Sequence, residues 1–202
     1  MGKICYIMGK SSSGKDTIFK KLEERMPELK TVTLYTTRPA RAGETNGIEY
    51  YFVDEGKLKA MEDKGYVIEI RAYNTKHGVW KYFTADDGQI DLDRYNYIII
   101  GTLESYEAMC RYFGRERLIP VYIEVEDGLR LKRALQRERR QSEPKYSEMC
   151  RRFLADQVDF SDENLKKAGI KRRFRNHKME ECLQDVQAYL GKKLRENKKF
   201  LC

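Results

Sequence analysis

One short stretch near the start constrains this chain most. An apolar run, Ile4–Met8, leads directly into Gly9-Lys10-Ser11-Ser12-Ser13-Gly14-Lys15-Asp16-Thr17. Thr17–Met26 then repeats apolar residues at Ile18, Phe19 and Leu22 with helical spacing, and Pro27 stops it. The two glycines and the following lysine have the G-x-x-x-x-G-K spacing of a phosphate-binding loop between a strand and a helix. Glycine lets the backbone wrap closely around phosphate. Successive N–H groups then turn inward, and the helix N-terminus adds partial positive charge. Lys15 supplies a full charge for the β- and γ-phosphates of a nucleoside triphosphate.

The residue after that lysine is usually Ser or Thr, whose hydroxyl coordinates Mg²⁺; here it is Asp16. An aspartate can ligate Mg²⁺ directly or through water, because magnesium prefers oxygen ligands. Asp16 is thus a candidate metal ligand or, instead, a charge that repels the phosphates, and Thr17 offers a hydroxyl to the α-phosphate.

Strand-like and helix-like segments alternate along the rest of the 202 residues, which argues for a parallel sheet covered on both faces. The expected strands are Ile4–Met8, Val32–Tyr35, Tyr97–Ile100, Leu118–Val125 and Ile170–Phe174. The expected helices are Leu103–Phe113, stopped by Gly114, then Leu129–Arg140, Tyr146–Phe160 and Met179–Leu194. The segment Thr36–Thr84 differs. It is rich in Gly and Tyr, with short β-like runs at Tyr50–Val53, Val67–Ile70 and Val79–Thr84 around a short helix at Glu55–Lys64. This predicts an inserted β-rich subdomain.

Charge and cysteine usage narrow the setting. The net charge of +8 suits an anionic partner, although much of it sits in Lys166–Arg175 and Lys192–Lys199, where a solvated face suffices. No basic-aromatic RNA motif occurs, so nucleic acid is not expected. The longest apolar run, Tyr97–Ile100, is too short to span a bilayer, so no membrane partner is expected. The start shows no leader pattern, and the five scattered cysteines lack a C-x-x-C, as suits free thiols. The expected location is the cytoplasm. The two histidines, His77 and His177, have no cysteine partners at zinc spacing.

A second block narrows the acceptor: Thr36-Thr37-Arg38-Pro39-Ala40-Arg41, then Gly43-Glu44 and Gly47-Ile48-Glu49-Tyr50-Tyr51-Phe52. Two arginines three residues apart, flanked by turn residues, can clamp one phosphate between planar forks. Tyr50 can add a phenolic hydrogen bond. Glu69 sets a carboxylate amid the apolar residues Val67, Ile68 and Ile70.

With these residues in order, the chain resembles the guanylate kinase family. The resemblance implies an α/β P-loop three-layer fold with a five-stranded parallel core sheet, an inserted β-rich acceptor-binding subdomain and a helical lid. The core would comprise residues 1–35 and 86–202, with the lid at 129–160, and residues 36–85 would bind the acceptor. It implies ATP as donor, GMP as acceptor, Mg²⁺ as metal, and a monomer or homodimer. Residues Gly9, Lys10, Ser11, Ser12, Ser13, Gly14, Lys15, Asp16 and Thr17 would bind ATP. Arg38, Arg41 and Tyr50 would hold the acceptor phosphate, with Tyr82 matching a second phosphate-binding tyrosine. Glu69 matches the carboxylate that accepts from guanine N1–H and the 2-amino group, and Thr84 stands for a hydroxyl nearby. Arg133, Arg137 and Arg152, with Lys15, would neutralise the transferring group.

Three departures fall on the base and not on the phosphates. Leu34 replaces a serine, Ile99-Ile100-Gly101-Thr102-Leu103-Glu104 replaces an acidic strand end, and Tyr73–Thr84 replaces a tight turn. The Gly-Lys-Asp loop ending is similar to that of ribose 1,5-bisphosphate kinases, which leaves another phosphorylated acceptor as the alternative. A catalytically silent binding module of the same fold is a third possibility.

Overall fold

The computed structural model describes residues 1–41, 43–75 and 78–196. His77, Cys202 and the end of the basic run Lys192–Lys199, from Asn197 on, lie outside them. In chain order the core contains β1 (Ile4–Met8), α1 (Lys15–Arg25) and β2 (Leu29–Thr31). A second set follows: β3 (Tyr35–Thr36), β4 (Tyr51–Phe52), α2 (Glu55–Asp63), β5 (Val67–Thr75) and β6 (Gly78–Ala85). The core resumes with β7 (Asn96–Gly101), α3 (Leu103–Phe113), β8 (Leu118–Glu124), α4 (Asp127–Arg139), α5 (Tyr146–Asp159), α6 (Asp162–Lys167), β9 (Arg173–Arg175) and α7 (Met179–Glu196).

The core sheet has five strands in the order β2-β7-β1-β8-β9, and every pairing is parallel. The expected five-stranded parallel core is thus what the chain forms. All five β1 residues are buried, because helices cover both faces. Ile4, Tyr6 and Met8 pack with Tyr97, Ile99, Tyr106 and Met109 on one face. Cys5 and Ile7 pack with Ile18, Leu22, Leu183, Val186 and Leu190 on the other. Each such apolar side chain contributes about 1.5–3 kcal/mol on burial. Pro120 sits in β8 opposite Tyr6, in the part of the strand that β9 does not reach, since β9 pairs only with Tyr122, Ile123 and Glu124.

The second sheet, β4-β3-β6-β5, packs on α2 through Tyr35, Leu58, Met61, Phe83 and Ala85. Its β5–β6 hairpin is antiparallel, with a bulge between Val67 and Glu69.

The structure corrects the expected strand Val32–Tyr35. That apolar run splits between two sheets: β2 ends at Thr31 in the core, and β3 begins at Tyr35 in the second sheet. Val32 and Leu34 remain buried in the core as the crossing point, so hydrophobicity alone made the run look continuous. The last strand is also displaced, to Arg173–Arg175, because Leu165, Ala168 and Ile170 are buried by a short helix and turn that composition did not reveal.

Candidate active site

The loop at 9–14 follows β1 and opens α1. Ser12 (φ 63) and Gly14 (φ 85) take left-handed backbone conformations, which tips the loop into a cradle. A Cβ on Gly9 would lie 2.6 Å from the Ile123 carbonyl oxygen, so only glycine fits there. Helices α2, α3, α4 and α6 are each capped by an N-terminal side chain, whereas Gly14 caps α1 with none. Its first N–H groups therefore face outward, as an anion site requires. The Ser12 and Ser13 hydroxyls are buried without a partner among the described residues, which fits a loop built to receive phosphate oxygens. Lys15 is mostly shielded and its Nζ lies 3.3 Å from the exposed Asp16 carboxylate. Thr17 is exposed on the next turn of the helix.

The loop is held from two sides. Asn176, fully buried after β9, donates Nδ2 to the Ser13 carbonyl at 2.8 Å. Its backbone carbonyl accepts from Arg133 Nη2 at 3.1 Å. On the other side, Asp156 of α5 accepts from the Ser11 backbone N–H at 2.8 Å and from Arg130 Nη1 at 3.0 Å. Arg130 is fully buried, pairs with Asp127 at 3.0 Å, donates to the Ser11 carbonyl and lies 4.0 Å over the Phe153 ring. Burial works to raise the Asp127 carboxyl, but hydrogen bonds from Gln157 and Arg130 hold it below its usual range. Lys10 bonds Gln157, and Arg152 Nη2 reaches the Ser11 hydroxyl at 3.3 Å. Arg137 is exposed on α4.

Across the second sheet lies a cluster of acceptor-binding candidates. Arg38 is only 3% exposed and holds Glu44 bidentately, both contacts at 2.7 Å. The Arg38 hydrogen bonds pull the Glu44 carboxyl down to about 2. Arg38 Nε donates to the Tyr82 hydroxyl at 3.0 Å, and its guanidinium lies 5.2 Å from the Tyr50 ring centre. Burial raises the Tyr50 hydroxyl, partly opposed by the nearby cations Arg38 and Arg71. Arg41 is exposed in the turn, where its backbone N–H donates to Glu44.

Glu69 closes the far end. Its Oε1 accepts from Thr84 Oγ1 at 2.7 Å, from Ser105 Oγ at 3.0 Å and from Arg71 Nη2 at 3.1 Å. Its Oε2 accepts from Arg71 Nε at 2.9 Å. Ser105 also accepts from the Tyr6 hydroxyl at 2.7 Å, so the carboxylate ties the second sheet to the core.

The structure therefore brings together Arg38, Tyr50 and Tyr82, and separately Glu69 with Thr84. It places Arg152 against the loop, holds Arg133 on Asn176, which itself bonds the loop, and leaves Arg41 and Arg137 in solvent. Sequence reasoning missed Asn176, Arg130, Asp156 and Arg71. Arg130 and Glu138 had a signal: with Ala134 they recur every fourth residue as one buried stripe of α4. Asn176 had none, because a single asparagine after a strand has no distinguishing pattern. Among the described residues no group of three or more His, Cys, Asp or Glu is placed to hold a metal. No helix of the described residues is long and apolar enough to cross a membrane.

Comparison with known proteins agrees with the loop and fold. Residues 1–79 match the family model described as guanylate kinase. A guanylate kinase of Thermobifida fusca is 39% identical over 67 residues, which is 33% of this chain and 34% of the relative. One from Thermosynechococcus vestitus is 41% identical over 68 residues, 34% of this chain and 36% of the relative. The matches thus span about a third of those curated relatives. The fold likeness reaches further. The crystal structure of guanylate kinase from Anaplasma phagocytophilum aligns with a TM-score of 0.67 at 17% identity, covering 96% of this chain and 86% of the other.

Proposed function

We propose that this chain, which has the guanylate kinase fold and a guanylate kinase match over residues 1–79, transfers the γ-phosphoryl group of ATP to the phosphate of GMP. One observation carries the proposal. A phosphate loop without a side-chain cap, with two buried serine hydroxyls unpartnered among the described residues, lies in the same chain as an arginine–tyrosine cluster fit for a second phosphate. A triphosphate site alone suits any nucleotide enzyme; a separate monophosphate clamp suits a phosphotransferase.

The roles follow from charge and position. The loop amides and Lys15 hold the β- and γ-phosphates. Arg38, Tyr50 and Tyr82 hold the acceptor phosphate, with Arg41 swinging in from the turn. Residues 36–85 are the acceptor-binding part, and α4 and α5 form the lid. Arg133 and Arg152 stand beside the loop, and Arg137 reaches it on closure. Phosphoryl transfer depends mainly on positioning and charge neutralisation, so convergence of these cations is itself the catalytic device. Asp16 fits Mg²⁺ as one exposed carboxylate beside the phosphates, the usual sparse protein share for this ion. Bound there, the metal would neutralise β- and γ-oxygens. The proposed setting is the cytoplasm, where the buried free thiols Cys5, Cys110 and Cys182 stay reduced.

A coupled ADP-release assay with ATP, Mg²⁺ and GMP tests the proposal. Turnover abolished by Lys15→Ala supports it. Turnover with ribose 1,5-bisphosphate and none with GMP would replace GMP as acceptor. ATP failing to bind would favour a silent binding module.

A further inference from the structure

Arg71 is the charged residue of the acceptor face that the roles above leave unused. In the β5–β6 hairpin Glu69 pairs with Thr84, Arg71 with Tyr82 and Tyr73 with Trp80. Side chains two apart share a strand face, so Arg71 stands between Glu69 and the Tyr82 end of the acceptor cluster. The Tyr73 ring contacts the Tyr82 ring at 5.7 Å, and Tyr82 contacts Tyr50 at 5.6 Å, so the same face carries an aromatic wall.

The hydrogen-bond accounting at Glu69 decides which group is free. A carboxylate offers about four lone-pair sites. Thr84, Ser105 and Arg71 Nη2 all donate to Oε1, and Arg71 Nε donates to Oε2, so Oε1 is fully engaged and at most one site is left, on Oε2. Reading two adjacent guanine donors would require breaking bonds in a pair whose side chains are only 9% and 6% exposed. Arg71 is in the opposite position. Its Nε and Nη2 form the side-on fork to Glu69, while Nη1 has no hydrogen-bond partner among the described residues. Nη1 and the second Nη2 hydrogen make an end-on fork of two adjacent donors.

We infer that Arg71 is the base-reading residue, its end-on fork donating to the O6 and N7 acceptors of a 6-oxopurine, with Glu69 positioning it. Arginine pairs bidentately with these two atoms of guanine by simple geometry. The aromatic wall suits a planar base. This inference rests on the phosphotransferase proposal and specifies how its acceptor is chosen. It makes the 2-amino group dispensable and adenine unfavourable, since adenine presents a donor where guanine has O6.

The test is the ADP-release assay on the full chain with GMP, IMP, AMP and ribose 1,5-bisphosphate. The expected kcat/KM for IMP is within about 5-fold of that for GMP, with AMP lower by about 10- to 100-fold, the worth of one bidentate base contact. Arg71→Lys keeps the ion pair with Glu69 but lacks the planar fork, and it is expected to bring AMP and GMP close together while the thermal midpoint holds. IMP falling more than about 50-fold below GMP overturns the inference, because a hydrogen-bonded amino group would then be read. An Arg71→Lys enzyme with unchanged GMP-to-AMP preference overturns it too, as does preference for ribose 1,5-bisphosphate. If no acceptor supports turnover, the kinase proposal falls by itself, and calorimetric titration of GMP and IMP then decides for Arg71. Equal binding retains its role; binding of GMP alone, or of neither, overturns it.

Discussion

Asn176 and Ser13, 163 residues apart in the chain, are joined by a 2.8 Å hydrogen bond from the amide to the loop carbonyl. The bond fastens the end of β9 to the phosphate loop, and a Cβ on Gly14 would collide with this amide at 2.5 Å. Asn176→Leu leaves the Ser13 carbonyl without its donor. The expected cost is about 1–3 kcal/mol for an unsatisfied buried group. Urea unfolding measures it, and added ATP should recover less stability in the variant than in the parent.

Arg130 is a buried cation between two carboxylates, Asp127 and Asp156. Arg130→Met removes the charge and the bond to the Ser11 carbonyl but leaves both anions and the Asp156 bond to the Ser11 N–H. Breaking a buried pair from one side costs about 3–5 kcal/mol. A smaller loss in equilibrium unfolding, below about 1 kcal/mol, would show that Asp156, like the already solvent-exposed Asp127, finds solvent once the arginine is gone.

Lys15 should behave in the opposite way. Among the described residues it pairs only with the exposed Asp16, and such pairs contribute little to stability. Lys15→Met is expected to leave the unfolding midpoint nearly unchanged and to lower turnover by about 100-fold or more, the usual loss for one charge-stabilising group. A parallel fall in both quantities would make Lys15 structural.

The Arg38–Glu44 clamp predicts an acid-sensitive acceptor face. The Glu44 carboxyl is lowered to about 2 in the folded chain, from an ordinary value of 4.5. A depressed carboxyl contributes stability that is full above its unfolded value and fades as pH falls through the folded one. Thermal midpoints should therefore drop between about pH 4.5 and 2. Glu44→Gln should flatten that part of the profile, and an unchanged slope would assign the acid sensitivity to other carboxylates.

Much of this was legible in the sequence, for identifiable reasons. The loop from Gly9 to Lys15 and the helix Leu103–Phe113 have strict local spacing, and the latter appears with the expected ends. Arg38 and Tyr50 lie in a turn-rich block where few residue types serve. The crossing at Val32–Leu34 was not legible, because a strand's sheet membership depends on partners far away in sequence. The same applies to Glu69. Its apolar neighbours identified a carboxylate amid apolar residues, but Thr84, Ser105 and Arg71 engage it only once β5, β6 and α3 meet. Ser105 sits 36 residues away on another element, and spacing along a strand cannot report it.

Tyr6 also limits the order in which this chain could change. A Cβ at Gly101 would lie 2.1 Å from the Tyr6 hydroxyl and 2.9 Å from its ring carbon. That hydroxyl is not a loose end: the residue is fully buried, bonded to Ser105 and packed edge-on against Tyr106 at 5.4 Å. Any side chain at 101 must wait until residue 6 has shrunk. Shrinking residue 6 first, however, strips a donor from Ser105 and opens a cavity in the core. Each single step is unfavourable although the double replacement can be sound. The two sites are therefore expected to change together among descendants of this sequence, and the Tyr6–Ser105–Glu69 hydrogen-bond chain is guarded by that valley, whatever task it serves.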